Sequence, residues 1–225
     1  WYNMRQLEIL ALNFPHRILF DPYGLYPGGA SIGSPPFFYL LVGFFAWILG
    51  AGSPTQKVIE TVGAYLPAIL GALVTVPVYV IGRELLNKKA GILAAALIAI
   101  LPGQFIWRSM LGFPDYHVTE VLFSTLSVMF LILALKSSRE RDLSLRSLGQ
   151  RDWGKLRRPL FYAMLTGITL GIYLLTWAGA GLFIFIIFVF IVLQYIMEHV
   201  RGRSTDYIGI IGVVSFVFEL VIRAC

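Results

Sequence analysis

The sequence predicts an all-α polytopic membrane protein, and three observations carry that prediction. Hydrophobic residues make up 58% of the chain and charged residues only 13%, about half the charged share of a typical soluble domain. The apolar residues gather in runs long enough to cross a bilayer as helices. The basic residues cluster in short loops between those runs, so the net charge of +6 reads as the positive bias of cytoplasmic membrane loops. The lipid bilayer is therefore an expected partner, and nucleic acid is not. The single cysteine, Cys225, leaves no disulfide framework and no cysteine-based metal site.

Residues 1–61 are the least membrane-like part and are expected to form an extracytoplasmic first loop. Leu7, Leu10 and Ala11 recur at helical spacing, which predicts a short amphipathic helix. Asp21, Pro22, Pro27, Gly28, Gly29, Pro35 and Pro36 then impose an irregular stretch. Phe37 to Leu49 is apolar, but its roughly 13 residues fall short of the ~20 a span requires. It reads as an interfacial or re-entrant helix, with Trp47 as a headgroup anchor.

Residues 62–225 read as a bundle of about six transmembrane helices, at 62–81, 90–107, 118–135, 160–177, 182–197 and 207–222. Ala178-Gly179-Ala180-Gly181 makes a tight turn between the fourth and fifth. Residues 136–159 hold eight of the eighteen Lys and Arg residues. With the basic loops at 83–89 and 198–206, they fall on one side of the membrane, predicted to be cytoplasmic. Residues 1–61, the 108–117 loop and the turn after Trp177 then share the extracytoplasmic face of a multi-pass cell-membrane protein. Glu219, inside the last span, is placed to pair with Arg223. The chain opens on Trp1-Tyr2-Asn3 without an initiator Met or signal peptide and stops at Cys225 directly after an apolar run. It is read as part of a longer or truncated protein.

The stretch Gly112-Phe113-Pro114-Asp115-Tyr116-His117-Val118-Thr119-Glu120 is dense in groups that a bilayer excludes. Asp115 and His117 bracket one residue at a chain reversal, where a carboxylate and an imidazole can share one divalent cation. Pro114 favours a break, which sets Asp115 near the start of the next helix, where its charge is favoured. The competing reading is a polar loop with a helix cap. Glu120 fits a helix start better than a site residue. His16 suits an interfacial position, and Asp21 before Pro22 suits a turn. No Gly-rich phosphate loop, G-x-S-x-G or H-E-x-x-H is present, so a nucleotide-driven cytosolic reaction has no visible motif.

The run Arg108-Ser109-Met110-Leu111-Gly112-Phe113-Pro114-Asp115-Tyr116-His117 resembles the second acidic motif of the oligosaccharyltransferase catalytic subunit, in its archaeal Asp-x-His form with an Arg seven residues before the Asp. Trp1-Tyr2-Asn3-Met4-Arg5 is similar to the tail of that family's first acidic motif, whose metal-binding Asp would lie before residue 1. Asp21-Pro22-Tyr23-Gly24-Leu25-Tyr26-Pro27-Gly28-Gly29 is similar to the Tyr-Pro-x-Gly part of its first external loop, and Thr176-Trp177-Ala178-Gly179 to a later Trp-Gly turn. The family's later external loop and its soluble C-terminal domain with Trp-Trp-Asp have no counterpart here.

The resemblance implies the transmembrane domain of a multispanning GT-C glycosyltransferase. It implies transfer of an oligosaccharide from a dolichyl phosphate or pyrophosphate donor to Asn of Asn-x-Ser/Thr in an acceptor polypeptide. It implies Asp115 and His117 as ligands of Mn²⁺ or Mg²⁺, Asp115 and Arg108 as catalytic groups, and Arg108, with Glu120 more weakly, as substrate-binding. A chain of this extent is expected to be inactive alone. Two alternatives stay open. One is a protein O-mannosyltransferase using a polyprenyl-phosphate sugar. The other is a membrane transporter with Asp115 and His117 as a proton relay, although a relay belongs in mid-membrane rather than in a loop.

Overall fold

The structure, a computed structural model, describes residues 2–16, 19–33 and 35–224. Trp1, Arg17 and Cys225 lie outside the described residues. The chain divides into two units, Trp1–Leu73 with Leu101–Glu120, and Val74–Ile100 with Val121–Cys225.

In the first unit, helix α1 (Tyr2–Asn13) buries Leu7, Leu10 and Ala11, the stripe the spacing predicts. Helix α2 (Pro36–Leu49) packs on it at Gly43, where a Cβ would come within 2.4 Å of Leu10 Cδ2. The 14 residues of α2 cover about 21 Å, too short to cross, as expected. Strands β1 (Phe20–Asp21) and β2 (Ala30–Ser31) pair antiparallel, Phe20 opposite Ser31, and close off the Pro/Gly-rich loop. Gly29 has φ +73° beneath the Phe20 ring, a conformation and a space that admit only glycine.

Helix α3 runs Gln56–Leu85 for 30 residues, outreaching the expected 62–81 at both ends. Helix α4 (Lys88–Ile100) and the short α5 (Gln104–Arg108) replace the single span expected at 90–107. Pro102 lacks the N–H that would continue the ladder and disfavours helical backbone at Leu101, and Gly103 is extended. Among the described residues, five helices are therefore long and apolar enough to cross a membrane, rather than six. The chain leaves α3 at Leu85 and is back beside α3 by Ser109, where a Cβ on Gly71 would come within 2.6 Å of the Ser109 side chain.

The second unit continues α6 (His117–Glu140) into α7 (Leu145–Gly149), α8 (Trp153–Thr176), α9 (Ala180–Val200) and α10 (Asp206–Ala224). Its core gathers Leu131, Ala134, Ala163, Leu170, Ile208 and Ile211. Gly167 and Gly171, four apart on α8, let α10 approach closely. A Cβ at Gly167 would stand 2.2 Å from the Ser215 carbonyl oxygen, and one at Gly171 would stand 2.5 Å from Ile222 Cβ. Small residues at this spacing are how membrane helices gain packing without a hydrophobic drive. Ser215 Oγ donates to the Ala163 carbonyl at 3.1 Å, and Ser127 Oγ to Thr169 Oγ1 at 3.0 Å. Glu219 does not pair with Arg223: among the described residues no ion pair joins them. Glu219 is buried on the Ser215 side of α10, while Arg223 is exposed.

Candidate functional site

Three short constraints shape the loop from Arg108 to His117. Ser109 Oγ donates to the Phe105 carbonyl at 2.8 Å, which ends α5. The Gly112 N–H reaches the Ala64 carbonyl of α3 at 3.1 Å, with Gly112 at φ +86°, in the left-handed region glycine tolerates. The Pro114 carbonyl accepts from Asn3 Nδ2 at 2.9 Å, and Asn3 Oδ1 in turn accepts from the Tyr39 hydroxyl at 3.0 Å. Helices α1, α2 and α3 thus all hold the backbone that carries Asp115.

On that backbone Arg108, Asp115 and His117 converge, as the sequence predicts. Asp115 Oδ1 accepts the His117 backbone N–H at 3.1 Å and lies 2.6 Å from His117 Nδ1. Asp115 Oδ2 accepts from Arg108 Nη1 at 2.9 Å. Arg108 Nη1 also stands 2.6 Å from His117 Nδ1, and Arg108 Nε donates to Gln104 Oε1 at 3.2 Å. The His117 ring stacks on Tyr116, centroids 4.3 Å apart. The Asp115 side chain is 8% exposed, while Arg108 keeps 33% and His117 29%. The carboxylate is the buried hub, and its two partners face outward.

His117 Nδ1 has a single lone pair or a single proton. It can accept from Arg108 or donate to Asp115, and not both at once. The carboxylate oxygen and imidazole nitrogen are hard and borderline donors that suit Mn²⁺, Mg²⁺ or Zn²⁺, and they already point at one locality. Among the described residues no group of three or more His, Cys, Asp or Glu side chains forms. The chemistry of this Asp–His donor pair suits a divalent ion.

Glu120 lies in the first turn of α6, partly buried. It is within electrostatic range of His117, Arg108 and Asp115, but none of the described hydrogen bonds or ion pairs ties it to them. It is a helix-start residue near the site. His16 is exposed and takes no part.

Asp21 does more than the expected turn. It accepts Arg5 Nε at 2.8 Å and Nη2 at 3.0 Å, as well as the Tyr23 N–H at 3.0 Å, and the Arg5 guanidinium lies 5.5 Å from the Tyr23 ring centroid. Arg5 holds the Asp21 carboxyl below the usual carboxylate range, and the Tyr23 N–H lowers it further. Sequence reasoning did not single out Asn3 or Tyr39. Both are ordinary residues locally, and only the packing of α1 and α2 brings them to Pro114.

Comparison with known proteins follows the same lines. Residues 1–224 match the family model "Oligosaccharyl transferase STT3, N-terminal". Dolichyl-phosphooligosaccharide-protein glycotransferase 3 of Archaeoglobus fulgidus is 35% identical over 223 residues, 99% of this chain and 24% of that protein. The dolichyl-monophosphooligosaccharide–protein glycotransferase AglB of Haloferax volcanii is 32% identical over 216 residues, 96% of this chain and 20% of its own length. The chain therefore spans a fifth to a quarter of these relatives. Among solved structures, A. fulgidus AglB in complex with an inhibitory peptide and a dolichol-phosphate superposes with a TM-score of 0.81 at 32% identity, over 99% of this chain and 24% of that one. The A. fulgidus oligosaccharyltransferase complex with Zn and sulfate gives 0.77 at 32%, over 99% and 26%. The form tethered to an acceptor peptide containing the NVT sequon gives 0.78 at 33%, over 99% and 25%.

Proposed function

The chain belongs to the oligosaccharyl transferase STT3 family, whose N-terminal part it spans, and on that premise we propose that the protein transfers an oligosaccharide from a dolichyl phosphate or pyrophosphate to the Asn amide of Asn-x-Ser/Thr sequons. The observation that carries this reading is the convergence of Arg108, Asp115 and His117 within 2.6–2.9 Å on a loop fixed by three helices. An Asn amide is a poor nucleophile because its lone pair is delocalised into the carbonyl. Asp115 supplies a carboxylate, only 8% exposed, that can accept the amide N–H and weaken that delocalisation. Arg108 holds the Asp115 side chain in place and offers its exposed face to a phosphate oxygen. His117, stacked on Tyr116, fixes the ring edge that faces Asp115. A divalent ion, Mn²⁺ or Mg²⁺, bound by Asp115 and His117 together with ligands from the parts of the protein that this chain does not span, would stabilise charge on the departing phosphate.

The site faces the extracytoplasmic side in this reading, and the basic loops at 83–89, 136–159 and 198–206 stay in the cytoplasm. Residues 88–108 cross in this reading as the broken pair α4–α5, interrupted at Pro102. The test is transfer of a lipid-linked glycan to an Asn-x-Thr peptide by the full-length protein, with Mn²⁺ and with chelator. Glycopeptide that needs the metal and disappears in His117→Ala supports the reading. Transfer to Ser or Thr instead would hand it to the O-mannosyltransferase class.

A further inference from the structure

A second polar site lies within the second unit, where α6, α8, α9 and α10 end together. A cavity of about 430 Å³ opens there, lined by Arg139 near the end of α6, Lys155 in the first turn of α8, Glu198 near the end of α9, and Arg203 and Ser204 before α10, with Asp142 at its rim. Glu198 is 3% exposed, and its ion pair is with Arg203 at 3.5 Å. Neither Arg139 nor Lys155 has an ion-pair partner among the described residues. Three cations thus face two carboxylates, which leaves one positive charge in a recess at the level where spanning helices end.

We propose that this cavity binds the phosphodiester headgroup of an anionic membrane lipid. The charge count matches: a phosphodiester carries one negative charge and neutralises the site, whereas a dianionic phosphate monoester overshoots it. The position matches as well, since helix ends mark the headgroup layer of the bilayer. The guanidinium of Arg139 and the ammonium of Lys155 approach the phosphate from two different helices, and the Ser204 hydroxyl can donate beside them. Arg203 is already engaged by Glu198, so Arg139 and Lys155 carry the recognition. Arg157 and Arg158, also on α8 and exposed, lie outside the cavity and serve as a charge-matched control.

The experiment is native mass spectrometry of the full-length detergent-solubilised protein, titrated with phosphatidylglycerol or phosphatidylcholine. One phosphatidylglycerol per chain should be retained, about tenfold more tightly than phosphatidylcholine, because Arg139 and Lys155 both attract an anionic headgroup at the membrane surface. R139Q/K155Q should lose that retention by about tenfold, K155Q alone should lose part of it, and R157Q/R158Q should lose none. Equal loss in both double variants, or no preference for phosphatidylglycerol, would overturn the site. Displacement of the lipid by soluble glycerophosphoglycerol, the same phosphodiester without acyl chains, at comparable concentration would overturn the lipid assignment in favour of a free anion.

Discussion

Asp115 engages His117 twice, through the backbone N–H at 3.1 Å and the ring Nδ1 at 2.6 Å. The first contact opens α6 in the manner of a helix cap, and the second orients the imidazole. The helix start and the orientation of the imidazole both draw on one carboxylate oxygen.

Substitution separates them. Asp115→Asn keeps an oxygen that can accept the His117 N–H but removes the charge. It should leave the melting temperature of the full-length protein nearly unchanged while lowering glycan transfer by about 10²-fold. Asp115→Ala removes the cap as well and should cost about 1 kcal/mol more in stability. Thermal unfolding and transfer assays on both variants check this, and normal transfer by Asp115→Asn would confine the residue to capping.

Asn3→Ala cuts the link between Pro114 and Tyr39. The loop keeps its residues but loses part of its support, so transfer should fall by about tenfold, because small misplacements of reacting groups are costly. Tyr39→Phe deletes only one hydroxyl from a buried ring and should cost about 1 kcal/mol of stability, with a smaller loss of transfer. Metal affinity that falls in Asn3→Ala identifies positioning of the ligand loop as the cause.

The Asp21–Arg5 pair gives the first loop a pH dependence of known sign. The Asp21 carboxyl is held below its ordinary value of about 3.9. Its pairing therefore stabilises the loop fully above about pH 4 and is lost as pH falls through the lowered value. Hydrogen exchange across residues 19–33 should stay slow from neutral pH down to about 4 and quicken below it. In Asp21→Asn it should be fast already at neutral pH.

Gly167→Ala places a methyl 2.2 Å from the Ser215 carbonyl oxygen. Backbone on α10 has to move, and a cost of about 1–3 kcal/mol is expected, read as a lower melting temperature in detergent. Gly181→Ala, at a position where an added Cβ meets nothing within 4 Å, is the matched control and should be neutral.

Tags inserted after Gly112 and within residues 140–150 should label from opposite sides of the membrane. Labelling from one side would return the broken α4–α5 segment to the same surface as the loops it joins.

The apolar runs at 118–135, 160–177, 182–197 and 207–222 were legible because a bilayer leaves little choice: each lies on a helix that extends into polar flanks, by two turns at the start of α8. Arg108, Asp115 and His117 stand out in the sequence because charged groups between two apolar runs have no packing role to explain them, and the fold brings the three together. The break at Pro102 was visible as a residue, but hydropathy averaged across it. Asn3 and Tyr39 carry no local signal, since their meaning comes from contacts at |i−j| of 111 and 36. Asp21 was legible as a turn, and its partner Arg5 only through the fold.

The pins on α3 have one more effect. Ala64 and Gly71 fix the loop on a helix whose 30 residues span about 45 Å, against a hydrocarbon core of roughly 30 Å. The loop is therefore held at one height on α3, while the plane of lipid phosphates rises and falls with acyl-chain length. On the proposed function, a lipid-anchored donor would meet the loop at the right level only in a bilayer of matching thickness, and the surrounding lipid would act as a spacer between donor and loop.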